Sequence, residues 1–208
     1  MCLNVFSSWG NPHSFSYLFK SRSMENIKIL GFGGSLRNGS YNWALLENAK
    51  DLMPEGSELI LYDLKDIPIY NQDLDSQLPD SVKRFKDAVR KADGILISTP
   101  EYNFSIPGFL KNALDFASRP PNDNPFPGKP VAIMSASGSM LGGARVQYHL
   151  RQVLGYLDMK QIYRPEVFLA SAHTKFDQNL KLTDENAKDF IRQLLDKLVK
   201  EARRCLQE

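Results

Sequence analysis

The residues whose types and spacing could do chemistry begin with one run, Gly34-Ser35-Leu36-Arg37-Asn38-Gly39-Ser40-Tyr41-Asn42. Ser35 and Ser40 carry hydroxyl donors, and Arg37 carries a fixed positive charge on a fork that grips anions with two bonds. Gly34 and Gly39 have the G-x-x-x-x-G spacing of a triphosphate loop. That motif continues with Lys and then Ser or Thr, whereas Ser40 and Tyr41 stand here. Without the lysine and the magnesium-binding hydroxyl, a nucleoside triphosphate is disfavoured. No G-x-G-x-x-G dinucleotide fingerprint fits either. What remains suits a single terminal phosphate, held by a loop whose backbone N–H groups lead into a helix N-terminus. Asn42 either donates to the ligand or braces the loop. The plain alternative is a Gly/Ser/Asn turn that only caps a helix.

Two later loops have ligand-friendly composition. In Thr99-Pro100-Glu101-Tyr102-Asn103-Phe104-Ser105-Ile106-Pro107-Gly108, two prolines stiffen the path, and Tyr102 and Phe104 supply flat apolar surface suited to a planar heterocycle. As structure alone, such aromatics simply pack a loop. In Ser135-Ala136-Ser137-Gly138-Ser139-Met140-Leu141-Gly142-Gly143, small residues admit close approach to the backbone. Its alternative is a flexible loop.

These loops need elements to position them, and strand and helix signals alternate from Ile27 onward. Short apolar runs at 27–32, 58–62, 94–99 and 131–134 read as strands. A fifth is expected at 167–170, beginning near Lys160 and bent at Pro165. Helical stripes fall at Leu45/Ala49/Leu52, Val82/Phe85/Val89/Ala92, Leu110/Ala113/Leu114/Ala117, Val146/Leu150/Val153/Leu157 and Ala187/Ile191/Leu194/Leu198. Pro107 suits a helix start, and Thr183 is the expected N-cap of the last helix. Five strands alternating with five helices imply an α/β, doubly wound, parallel sheet with helices on both faces. Ligands in such sheets bind beyond the carboxyl ends of the strands, at the switch point. The loops after strands one, three and four are therefore the ones to read for function.

Bulk properties narrow the class. With 42% hydrophobic and 24% charged residues over 208 positions, the chain reads as one globular domain. A net charge of +2 without a basic block gives no case for nucleic acid. No apolar run reaches about 18 residues, so no membrane partner is expected. Cys2 and Cys205 form no disulfide framework, which points to a cytoplasmic location. His13, His149 and His173 lack metal-ligand spacing, so no metal site is expected. On a helix, His149 reads as a packed or hydrogen-bonded residue. Residues 1–23 contain no acidic residue and are rich in serine, asparagine and aromatics. They are expected to form a loosely attached tail or to precede the natural start at Met24, leaving 24–208 as the domain.

Three stretches taken together, GSLRNGSYN, PEYNFSIPGFLKNALDF and SGSMLGGARVQYHLRQVL, resemble the NADPH-dependent FMN reductase family, above all its chromate and quinone reductase branch. The likeness runs from about Ile27 to Leu198. It implies a flavodoxin-like sheet of five strands in the order 2-1-3-4-5, with FMN held non-covalently. Carried over by residue, Ser35, Arg37, Ser40 and Asn42 would hold the phosphate, with the intervening backbone of Leu36, Asn38, Gly39 and Tyr41. Pro100, Glu101, Tyr102 and Asn103 would line the ribityl chain and ring, and Ala136, Ser137 and Gly138 would close the other side. Phe109 departs from the family, which often has a small residue there, and is expected to narrow the substrate side.

The resemblance further implies that NAD(P)H passes hydride to the flavin N5 and that a small acceptor then collects the electrons. A quinone, chromate, an azo or nitro compound and free flavin are the candidates. No protein residue is assigned as catalytic, because the cofactor carries the chemistry. It also implies a homodimer or homotetramer, with the GGARVQYHLRQVL helix in the contact. The alternatives are a flavodoxin-type electron carrier, whose usual acidity this chain lacks, and a regulatory relative that has lost its flavin. Arg37 and both serines argue against the second.

Overall fold

The structure is a computed structural model that describes residues 26–208. Expectations about residues 1–23, with Cys2 and His13, lie outside the described residues. β1 (Ile27–Gly33), α1 (Tyr41–Lys50), β2 (Ser57–Tyr62), α2 (Asp80–Lys91), β3 (Gly94–Ser98) and α3 (Gly108–Ala117) come first. Then follow β4 (Pro130–Ala136), α4 (Ala144–Tyr156), the short β5 (Lys160–Gln161) and β6 (Val167–Leu169), and α5 (Glu185–Cys205). Every pairing between these strands is parallel, in the order β2-β1-β3-β4-β5, with β6 also on β4. This is the flavodoxin-like arrangement the sequence implied.

β3 and β4 are buried at every residue, as a parallel sheet covered on both faces requires. The strand alternation sorts side chains into two apolar layers. Leu96 of β3 and Met134 of β4 face Leu45, Ile191 and Leu195 of α1 and α5. Ile95, Ile97 and Ile133 face Phe85, Leu114 and Leu150 of α2, α3 and α4. Phe109 packs against this second layer, so its ring is accounted for by the core.

Two boundaries differ from expectation. The fifth strand is two pieces, because Lys160–Gln161 pairs with the start of β4 and Val167–Leu169 with its end. Pro165 sits in the gap and has no N–H to give a ladder. The N-cap of α5 is Asp184, whose carboxylate accepts from Ala187 N at 2.8 Å. Thr183 stands one position earlier, and its N–H and hydroxyl both donate to Lys175 O.

Below the sheet's ligand end, a buried cation ties a turn to α2. Lys86 is 1% exposed, donates to Arg119 O and pairs with Asp123 at 2.8 Å; Arg90 reaches the same carboxylate. A buried ammonium stripped of its partner is costly. The hydrogen bond from Lys86 holds the Asp123 carboxyl below the ordinary carboxylate range, with Arg90 adding to it. A depressed folded-state pKa adds stability above the unfolded value, and this is lost as pH falls through the folded one. Asp123→Asn should therefore destabilise the protein by about 1–2 kcal/mol at neutral pH, scaled down because Asp123 is half exposed. Urea unfolding from pH 7 to pH 3 should show the gap between wild type and variant closing as pH drops. Equal stability at pH 7 would count against this pairing.

Candidate functional site

β1 delivers the chain to the carboxyl edge of the sheet, where Gly34 N–H donates to Ser98 O at 2.8 Å. A Cβ at Gly34 would lie 2.1 Å from Thr99 Oγ1, so only glycine lets the loop leave the sheet this close to β3. Gly39, at φ +69°, then turns the chain into α1, which Ser40 caps through Trp43 N. Arg37 Nη2 donates to Gly39 O at 2.6 Å and Nη1 to Asn38 O at 3.3 Å. These bonds hold two loop carbonyls on the guanidinium. Among the described residues, the N–H groups of Ser35, Leu36, Asn38, Gly39, Tyr41 and Asn42 find no acceptor. Unpaired donors at a helix N-terminus fit a phosphate dianion. A cleft of about 570 Å³ runs along this loop, lined by Ser35 through Ser40, Trp43, Glu47, Lys65 and Lys181. It lies on the loop's β2 flank and does not reach Tyr102 or Ser137.

Asn42 is 3% exposed and bonded at both ends of its amide. Nδ2 donates to Ala136 O at 2.8 Å, and Oδ1 accepts from Ala136 N at 2.9 Å and Ser98 Oγ at 3.2 Å. Of the two roles read for this residue, bracing accounts for the side chain. Tyr41 stacks on Phe176 at 5.3 Å, so its ring also belongs to the scaffold and its N–H is what it can offer a ligand.

The loop after β3 closes on itself. Tyr102 N donates to Ser105 O and Ser105 N to Tyr102 O, which makes Asn103 and Phe104 the tip of a tight hairpin. Tyr102 and Phe104 are exposed. The Glu101 side chain turns to α4. Its carboxylate accepts from Arg145 N at 3.0 Å and Val146 N at 3.2 Å, where it satisfies the first N–H groups of α4. That leaves the Glu101 backbone for a ligand.

The loop after β4 is tied from behind. Ser137 N donates to Leu169 O, Ala172 N to Ser137 O and Ser171 N to Ser139 O. Gly142 and Gly143 both have positive φ, and a Cβ at Gly142 would lie 2.7 Å from the Phe168 carbonyl carbon. Gln147, fully buried, donates to Ser135 Oγ and Val167 O. The segment Ser171–Thr174 thus braces the candidate site from a fourth loop that sequence reading missed. Its only signal was its place after the last strand.

Residues 27–174 match the family described as NADPH-dependent FMN reductase. The chain belongs to that family. The reductase is 49% identical to the NAD(P)H-dependent FMN reductase of Pseudomonas aeruginosa over 175 residues, covering 84% of this chain and 94% of that one. It is 43% identical to the NAD(P)H:quinone oxidoreductase of Solanum tuberosum over 176 residues, covering 81% and 89%. Among solved structures it superposes on the flavoenzyme NAD(P)H:(acceptor) oxidoreductase of Paracoccus denitrificans with a TM-score of 0.79 and 32% identity. That match covers 86% of this chain and 98% of the other. The reductase is thus an oxidoreductase that works with FMN and a reduced nicotinamide.

The expected site residues fall on three neighbouring loops at one edge of the sheet. Ser35 to Tyr41 present free backbone N–H groups. Pro100, Tyr102 and Asn103 stand on the hairpin, and Ala136, Ser137 and Gly138 on the third loop. Arg37→Ala should weaken FMN binding by roughly 1.5–3 kcal/mol, through loss of the charge and release of the two loop carbonyls. Flavin fluorescence titration measures this, and an unchanged affinity would move the phosphate elsewhere.

Proposed function

We propose that the reductase holds FMN with its phosphate on the Ser35–Asn42 loop and its ring between the Tyr102 hairpin and Ser137-Gly138. The observation that carries this is the donor set. Unpaired N–H groups gather at the start of α1, Arg37 supplies the counter-charge, and the lysine that a triphosphate needs is missing. FMN bound there supplies the two-electron transfer from NAD(P)H to an acceptor. The chain's own part is to bind, orient and shield. Gly34 admits the loop against Thr99, Asn42 fixes its distance from β4, and the exposed Tyr102 and Phe104 form a flat rim.

Such a rim suits a planar quinone, and the named relatives support that class. Chromate, azo compounds, nitro compounds and free flavin are the competing acceptors. A steady-state panel of NADPH and NADH against these acceptors tests the reading. Turnover with a quinone supports it. Protein that takes up FMN but is inert to both nicotinamides would favour an electron carrier, and protein that binds no FMN would refute the reading.

The same surface carries a proposal for assembly. α4 exposes Tyr148, Gln152 and Tyr156, spaced to lie on one stripe, and Tyr156 is 85% exposed. We place a second copy of the chain on this stripe, as a homodimer or as half of a homotetramer. Sedimentation velocity should show an oligomer for wild type and a smaller species for Tyr156→Asp. A monomeric wild type would remove the proposal.

A further inference from the structure

The Tyr102–Ser105 hairpin does not owe its shape to its own residues. Asn103 and Phe104 have φ of 50° and 63°. Two consecutive left-handed residues are the habit of Asn-Gly, and a phenylalanine at the second position works against its own Cβ. Strain of this kind persists only where surrounding contacts over-determine the backbone.

Those contacts come from α4. Arg145 Nη1 donates to Glu101 Oε1 at 3.0 Å, while Glu101 Oε2 takes the Arg145 and Val146 N–H groups. The Arg145 guanidinium lies 3.8 Å from the centroid of the Phe104 ring, close enough for a strong cation–π contact. One turn further, His149 Nδ1 and Ser105 Oγ are 3.1 Å apart. The helix end is itself anchored, since Ser135 Oγ donates to Gly142 O at 2.6 Å and Gln147 ties α4 to β6. A chain of contacts therefore runs from the β4–β6 sheet edge through α4 to the hairpin tip.

We infer that Arg145, working with Glu101 and Phe104, is a positioning residue that sets the hairpin against the flavin and couples the loops after β3 and β4 into one wall. Arg145 acts through the hairpin: its fork bonds Glu101 on one side while its flat face bears on Phe104. Lysine can do only one of these at a time. The inference rests on the FMN site proposed above.

The test compares wild type, Arg145→Ala, Arg145→Lys, Phe104→Leu and the Arg145→Ala/Phe104→Leu double variant. Each is measured for apoprotein melting temperature, FMN affinity and visible circular dichroism of bound flavin, without substrate present. Arg145→Ala should bind FMN about tenfold more weakly, the scale of a lost charge-assisted bond. Its flavin dichroism should change while its melting temperature stays near that of wild type. Phe104→Leu should shift the dichroism in the same direction, and Arg145→Lys should not restore it. The double variant should bind FMN no worse than Arg145→Ala, because both substitutions break one unit. Additive losses in the double variant overturn the inference. So does wild-type FMN affinity and dichroism in Arg145→Ala, or a fall in melting temperature that accounts for the weaker binding. If wild type itself takes up no FMN, the proposed function fails first, and the inference with it.

Discussion

The ligand end of this sheet depends on one side chain amide. Asn42 stands at the start of α1, yet it bonds both backbone groups of Ala136 at the end of β4 and accepts from Ser98 of β3. Ala136 lies beyond the β3 ladder, which ends at Ser98 and Met134, while β6 pairs with it on the other side. Its N–H and C=O are buried, and each would cost about 1–3 kcal/mol if left unpaired. Asparagine is suited to the task because its amide presents one acceptor and two donors in the plane of a peptide. One residue thereby sets the distances among the phosphate loop, the end of β3 and the third loop.

The other site features are built on that frame by the same means, with side chains supplying what regular pairing cannot. Glu101 completes the N-terminus of α4, Gln147 spans from α4 to Ser135 and Val167, and Ser137 trades backbone bonds with the segment after β6. The result is an edge where side-chain donors tie the scaffold together, while the N–H groups of the Ser35–Asn42 loop are largely left free. Free donors gathered at a helix N-terminus are what the proposed phosphate site rests on.

The hairpin shows the opposite economy. Its backbone sits in a left-handed pair that suits Asn103 but not Phe104, and α4 holds it there. Pre-organisation of this kind places Tyr102 before a ligand arrives, so binding loses less freedom. On the inferred role of Arg145, a substitution on α4 would reach the proposed ring site without touching it.

Much of this was legible in the residues. The period of the apolar positions determined which segments are strands and which helices, because burial on two faces allows continuous apolar strands and striped helices alone. The right-handed crossover then leaves few sheet orders, and the family likeness selected the observed one. The loop's chemical leaning was legible too, since Arg37 and the missing lysine favour a single anion over a triphosphate by local composition. Tertiary structure decided what depends on partners distant in the chain. That Asn42 braces, that Glu101 turns to α4 and that Ser171–Ala172 tie down the loop after β4 all follow from pairings across tens of residues. A side chain's type states which bonds it can make, but only the fold determines which unpaired group stands within reach.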